Sequence, residues 1–228
     1  KKNYDYIEIA GENNFKSFDY TVPGDISSSS FFIVLTLLSQ KSQLILKNIN
    51  TNNSRIGIIK ILNKMNANIR LTNRKKYKGE LISDLVVKSK KELKSINCPS
   101  SLNSSAIDEF LILFLVAAKA RGVSTFRDLG ELNKKESPRL DIAINFLRKI
   151  GIRVIRFKNN IKIYGNPKLN LKGEYDMKNF RKDHRVFMMS CIAALTLGGN
   201  WKIHDKDSIN TSFPTFIELI KKIGARVN

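Results

Sequence analysis

Three stretches of the chain are apolar on nearly every face of a helix, and each opens on charged or hydroxyl side chains. The first is Asp25-Ile26-Ser27-Ser28-Ser29-Ser30 running into residues 31–38. The second begins Asp108-Glu109-Phe110 and stays apolar to Ala120, and the third begins Asp183-His184-Arg185 and runs to Leu197. A helix that is hydrophobic all round is buried. If its first turn is polar, its free N–H groups and partial positive charge are aimed at something. Ordinary capping by Asp or Ser explains any one of these starts; three in register point to convergence on an anion site.

Each apolar helix is followed by the same succession: a strand, an amphipathic helix, then another strand. In the first copy these are residues 43–49, 55–65 and 68–71. In the second they are 124–128, 138–150 and 153–157, and in the third 201–204, 214–223 and a last strand beginning at Arg226-Val227. The amphipathic helices close on related phrases, Lys64-Met65-Asn66-Ala67, Lys149-Ile150-Gly151-Ile152 and Lys222-Ile223-Gly224-Ala225. Gly or Asn there is the usual left-handed helix terminator. The helix starts recur every 70–85 residues or so, too long for a solenoid repeat, which predicts a few packed βαβ-type modules around one core. The expected arrangement has the three apolar helices buried and parallel, with strands pairing partly across repeats. Residues 1–21 are expected to form strands of a preceding domain.

Composition narrows the class. The 228 residues are 42% hydrophobic and 26% charged, as in ordinary globular proteins. No uninterrupted apolar run approaches the roughly 18–20 residues of a membrane span. The start Lys1-Lys2-Asn3-Tyr4-Asp5 lacks the apolar core of a signal peptide and suggests a piece of a longer product. Cys98 and Cys191 stand far apart with no Cys-x-x-Cys spacing, so neither a disulfide framework nor a structural zinc is expected, and a reducing cytoplasm fits.

Forty Lys and Arg against twenty Asp and Glu give a formal charge of +20. A phosphorylated ligand or nucleic acid would suit that balance. Lys, Ile and Asn together supply 79 residues (28, 28 and 23), a bias that alone makes a surface lysine-rich. The basic residues are scattered apart from Arg74-Lys75-Lys76 and residues 88–94. Compositional bias with a small anionic ligand therefore explains the charge better than a nucleic-acid face does.

Chemistry-bearing residues gather in three places. The first is Pro23-Gly24-Asp25-Ile26-Ser27-Ser28. The second joins Asp108-Glu109-Phe110 to Glu131 and to Lys135-Glu136-Ser137-Pro138-Arg139. The third joins Asp183-His184-Arg185 to Ser212-Phe213-Pro214. In this order they resemble the C-terminal half of the 5-enolpyruvylshikimate-3-phosphate synthase family. That family has patterns close to Pro-Gly-Asp-x-Ser-Ser, Asp-Glu-Phe, Lys-Glu-Ser-Asp-Arg, Asp-His-Arg and Ser-Phe-Pro. The likeness spans essentially the whole chain.

The resemblance implies an α/β fold of repeated βαβαββ modules, the inside-out α/β barrel of the enolpyruvyl transferases. It implies two domains with substrates between them: residues 1–50 as a remnant of the first-half substrate domain and 51–228 as the C-terminal catalytic domain, the crossing lying at Thr51-Asn52-Asn53-Ser54. The implied reaction moves the enolpyruvyl group of phosphoenolpyruvate to the 5-hydroxyl of shikimate 3-phosphate and releases phosphate, with no metal or organic cofactor. Asp108 matches the base and sugar contact, and Glu136 a proton-transfer group. Lys135 and, less closely, Glu131 match contacts to shikimate 3-phosphate. Arg139 and Arg185 match arginines on phosphoenolpyruvate, where a planar guanidinium suits carboxylate or phosphate. His184 has mainly a structural place.

Pro138 stands where the family pattern has Asp. Proline suits the start of a helix, with Ser137 as the expected cap, yet a carboxylate beside Arg139 is lost. Other groups of the implied site belong to a segment before residue 1. The chain alone is thus expected to be inactive, and the completed protein to be a monomer without membrane or nucleic-acid partners. Two alternatives are the related transferase acting on UDP-N-acetylglucosamine and a non-catalytic remnant binding anions or nucleic acid.

Overall fold

A computed structural model describes residues 8, 9, 11, 16–178 and 181–227. The chain is built of βαβαββ units. In the first, Gly24 bridges in parallel to Ile49 of strand β1 (Gln43–Asn50), with helix α1 (Ile26–Leu38) between them in sequence. Helix α2 (Gly57–Lys64) then leads to the hairpin of β2 (Asn68–Tyr77) and β3 (Glu80–Lys88), giving the sheet order β1-β3-β2.

The second unit repeats this plan. Lys94 and Asn97 bridge in parallel to Arg121 and Thr125. Between them run a short helix α3 (Asn103–Ala106), α4 (Phe110–Lys119) and β4 (Gly122–Phe126). Helix α5 (Arg139–Lys149) and the hairpin β5 (Val154–Phe157) and β6 (Asn160–Gly165) complete the sheet β4-β6-β5. In the third unit β7 (Glu174–Met177) pairs in parallel with β8 (Asn200–Ile203) across α6 (His184–Leu197), and α7 (Phe216–Lys222) follows.

Helices α1, α4 and α6 pack against one another at the centre, as their all-round apolarity requires. At one end Ser27, Glu109 and Arg185 bring the three N-termini together. At the other, Leu38, Lys119 and Pro167 line one cavity, and the carbonyls of Ala118 and Leu197 accept from Asn166 and Leu171. The three helices are therefore buried and parallel. Aromatic rings fill the joins: Phe110, Phe114 and Phe126 meet with centroids 5.1–5.9 Å apart, and Phe32 stacks edge-on to Phe213 and Phe216 at 6.0 and 5.8 Å. Residues 100–119 form one helical stretch long and apolar enough by composition to cross a membrane, but most of it is buried in this core.

The repeated closing phrases are repeated helix stops. Ala67, Ile152 and Ala225 each donate a backbone N–H to the carbonyl five residues earlier, at 3.0, 2.9 and 3.0 Å. The residue before each sits at positive φ: Asn66 at 69°, Gly151 at 80° and Gly224 at 100°. This is the Schellman geometry that a left-handed residue permits.

Three expectations are corrected. Among the described residues every strand pairing lies within a unit, none across units, because each hairpin returns onto the strand after its own apolar helix. The single closing strands of the first two units are hairpins. At residues 51–54, where the resemblance puts the crossing between domains, Thr51 is buried and its N–H donates to Leu81 O at 2.7 Å, and residues of α1 and β1 belong to the same hydrophobic cluster as those that follow. Of the strands expected in residues 1–21, residues 16–21 hold none; 1–7, 10 and 12–15 lie outside the described residues.

Gly165 shows how closely α4 sits on its sheet. A Cβ there would stand 2.1 Å from Ala120 O and 2.6 Å from Ala117 O, both backbone atoms that cannot turn aside. Gly165→Ala is expected to destabilise the chain by about 1–3 kcal/mol, the usual cost of overpacking. Urea unfolding followed by far-UV circular dichroism reads it as a lower midpoint at unchanged slope.

Candidate active site

The three N-termini carry different side chains, and the differences build the site. On α1 Asp25 is the cap, accepting from the N–H groups of Ser27 and Ser28 at 3.2 and 2.8 Å. On α6 Asp183 is the cap, accepting from Arg185 N at 2.9 Å. Helix α4 has no side-chain cap. Asp108 and Glu109 stand in the 3-10 turn before it, and their carboxylates turn to other partners. Asp108 is thus not the helix cap that its position in sequence allows.

Arg139, at the start of α5, is the centre of the cluster. Its side chain is only 1% exposed, and three carboxylates enclose it. Nε donates to Asp183 Oδ2 at 2.9 Å, Nη1 to Asp108 Oδ1 at 3.3 Å, and Nη2 to Glu136 Oε2 at 2.5 Å and Asp183 Oδ1 at 3.4 Å. Ser137 Oγ donates to Asp183 Oδ2 at 2.7 Å. Asp183 is fully buried, and burial opposes its charge; the Arg139 bonds, with Ser137 and the Arg185 N–H, outweigh it and hold the carboxyl below the usual range.

Asp108 is half-buried at the edge of this arrangement. Lys135 Nζ lies 3.3 Å from Oδ1 and Arg185 Nη2 lies 3.9 Å from Oδ2, while Arg185 Nη1 donates to the Asp108 carbonyl at 3.0 Å. Burial pushes the carboxyl up, but Arg185, Lys135 and Arg139 together hold it below the ordinary aspartate value. Asp108 is therefore ionised at neutral pH, with oxygens available to accept a proton. The His184 imidazole is likewise held below its usual pKa, by burial first and then by the Arg185 charge, which leaves it neutral at neutral pH.

Five sequence-predicted residues thus meet on one face: Asp108, Lys135, Glu136, Arg139 and Arg185. Glu131 does not join them; it pairs with Lys134 at 2.8 Å on an exposed 3-10 turn. The two arginines also separate. Arg139 is sealed by the protein's own carboxylates. Among the described residues the Arg185 guanidinium makes one hydrogen bond, to the Asp108 carbonyl, and stands 3.9 Å from the carboxylates of both nearby acids. Ser137 does not cap α5 as expected. Its hydroxyl is taken by Asp183, and Asn133 Oδ1 accepts from Leu140 N and Asp141 N at 3.0 and 3.3 Å instead.

Sequence reasoning gave no site role to Asp183, Glu109, Ser27 or Arg55 and took Ser137 only as a helix cap; these five complete the cluster. Glu109 is buried and accepts from Ser27 Oγ. Arg55 Nη2 donates to that same hydroxyl at 3.1 Å and stands 3.6 Å from Asp25 Oδ1. The polar openings of the apolar helices were the available signal. No group of three or more His, Cys, Asp or Glu placed to hold a metal occurs among the described residues.

Residues 1–220 match the EPSP synthase (3-phosphoshikimate 1-carboxyvinyltransferase) family. The chain belongs to that family. Relatives named 3-phosphoshikimate 1-carboxyvinyltransferase include those of Ruthia magnifica, 36% identical over 99% of this chain and 51% of the relative, and Geotalea uraniireducens, 39% identical over 90% and 47%. The EPSP synthase of Acinetobacter baumannii superposes with a TM-score of 0.81 at 33% identity, over 88% of this chain and 46% of that one. The enolpyruvyl transferase NikO of Streptomyces tendae shares the fold at 16% identity, with a TM-score of 0.70 over 92% of this chain and 45% of that one. The chain spans about half the length of the curated relatives it matches.

The enclosed pair sets an expectation for stability. Asp183→Ala leaves Arg139 buried without its main partner and is expected to cost about 3–5 kcal/mol of unfolding free energy, of which adding Arg139→Met recovers part. Asp183 has a folded pKa below its unfolded one. Its contribution is present above the unfolded value, about 3.9, and is lost as pH falls through the folded value. In urea titrations from pH 6 downwards, Asp183→Asn should therefore lose less stability on acidification than the unsubstituted chain.

Proposed function

We propose that this chain supplies one wall of the cleft of a 3-phosphoshikimate 1-carboxyvinyltransferase, with the facing wall on a further segment. The observation that carries this reading is the convergence of Asp108, Lys135 and Arg185 on one half-open face, beside a buried Arg139 that fixes their surroundings. The substrates are phosphoenolpyruvate and shikimate 3-phosphate, whose anionic groups suit a face of cations and helix N-termini. The names of the curated relatives favour shikimate 3-phosphate over a nucleotide sugar as acceptor.

In this reading the acceptor's 5-hydroxyl attacks C2 of phosphoenolpyruvate. Asp108 accepts the hydroxyl proton, a task for which an ionised, oriented carboxylate is suited. A proton is delivered to the C3 methylene, giving a tetrahedral adduct. Loss of a C3 proton then restores the double bond as the C2–O bond to phosphate breaks and inorganic phosphate leaves. Glu136, more than half exposed and held by Arg139, is the acid–base group at C3. Arg185 binds phosphoenolpyruvate, and Lys135 the acceptor. Arg139 orders Asp108, Glu136 and Asp183 and would reach a ligand only by releasing one of them. The same reading takes the complete protein to be a cytoplasmic monomer that does not bind nucleic acid.

Two outcomes test it. Phosphate release from the two substrates should be absent with this chain alone and present when it is joined to the amino-terminal half of a curated relative. In the joined protein, Asp108→Ala should lower kcat about 10²–10⁴-fold, the usual contribution of a positioned base. Arg185→Ala should act mainly by raising the KM for phosphoenolpyruvate about tenfold or more. An Asp108→Ala protein with unchanged kcat would remove the assigned base.

A further inference from the structure

We propose that Glu109 is a positioning residue for Arg185, and that Ser27 and Arg55 orient Glu109 for that task; this rests on the reading of Arg185 as a ligand for phosphoenolpyruvate. Glu109 is 4% exposed, a buried acid that the reaction as described does not use. The polar and charged groups around it come from four segments. Ser27 comes from α1, Arg55 from the turn before α2, Asp108 from its own turn and Arg185 from α6.

Donor and acceptor inventories fix the order of these bonds. Arg55 can only donate, so the bond from its Nη2 makes Ser27 Oγ an acceptor. The one hydrogen of that hydroxyl is then committed to Glu109 Oε1. The same Oε1 stands 3.9 Å from Arg185 Nη1, near enough to attract the guanidinium and too far to close a hydrogen bond. Asp108 Oδ2 lies at the same 3.9 Å from Nη2. Arg185 is thus drawn between two carboxylates without being saturated by either, the reverse of Arg139. A cation in that condition is held in place and still has N–H groups to give to an anion.

Burial raises the Glu109 pKa, while Ser27 and Arg185 work against the rise. Glu109→Gln is the informative change, since the amide oxygen can still accept from Ser27 while the charge facing Arg185 is gone. In the completed protein it should raise the KM for phosphoenolpyruvate about tenfold, with kcat changing less and the KM for shikimate 3-phosphate within about twofold. A residue that only supports the fold would not single out one substrate. Adding Glu109→Gln to Arg185→Ala should leave that KM no higher than Arg185→Ala alone, because the group being positioned is already absent. An unchanged phosphoenolpyruvate KM in Glu109→Gln, or effects that multiply in the double variant, would overturn the proposal.

Were the unsubstituted completed protein inactive, the functional reading itself would fail, and the pair would still be testable in this chain. Urea unfolding of Glu109→Gln, Arg185→Met and both together gives three unfolding constants. If Glu109 holds Arg185, the double variant's constant should fall about fivefold or more short of the product of the single effects. A simple product would show that the two residues do not act on each other.

Discussion

Everything at this site follows from bringing three parallel helix N-termini to one place. Each contributes unpaired N–H groups and about half a positive charge, and like ends repel. The chain answers with carboxylates at each end: Asp25 on α1, Asp108 and Glu109 before α4, and Asp183 on α6. Those acids then repel one another, and Arg139, from the adjoining α5, runs among them to join Asp108, Glu136 and Asp183. The alternation is self-consistent. Among the described residues, Ser208 Oγ is the one buried side-chain polar atom without a partner, and it lies outside this cluster.

Burying charge in this way is a poor means of stabilising a fold, since desolvation consumes most of the attraction. What it does provide is position. A sealed guanidinium bonded through all three of its nitrogens is held against rotation, so the acids around it are positioned before any ligand arrives. Preorganisation of that kind is where enzymes obtain most of their electrostatic advantage. The contrast between Arg139 and Arg185 divides the labour between a cation that builds the face and a cation offered by it. The same guanidinium chemistry serves both, because the difference lies in how many carboxylates come within 3.4 Å.

Much of the fold was legible from periodicity. The apolar runs after Asp25, Asp108 and Asp183 have no polar face, which leaves them only the centre of the molecule. The stops at Asn66, Gly151 and Gly224 appear as recurring left-handed residues. The hairpins were not legible as such: β2 runs from Asn68 to Tyr77 through Asn73-Arg74-Lys75-Lys76, where charge on an exposed face masks the alternation of a strand. The strand pairings across repeats failed for a related reason, since pairing depends on where a hairpin returns and not on local pattern. At the candidate site, motif order singled out Asp108, Lys135, Glu136, Arg139 and Arg185, which the fold brings together. It could not show that Glu131 turns to Lys134, because a single helical turn decides which face a side chain takes. Nor could it give a role to Glu109, whose burial depends on Ser27 eighty-two residues away.

Pro138 shows how a departure from a pattern can leave its geometry standing. The proline removes an acid next to Arg139 and also fixes the chain just ahead of α5, where it accepts no help from Ser137. Asn133 supplies the cap from five residues upstream of the proline, binding the N–H groups of Leu140 and Asp141 through one oxygen. Ser137 is thereby released to donate to Asp183, and Arg139 finds its carboxylates on α6, on the turn before α4 and at Glu136. Arg139 is thus enclosed by three carboxylates although position 138 carries none. An arginine needs planar acceptors around it and is indifferent to which strand or helix carries them. The local pattern changed while the cluster stayed closed, because the constraint acts on the assembled charges rather than on the order of residues along the chain.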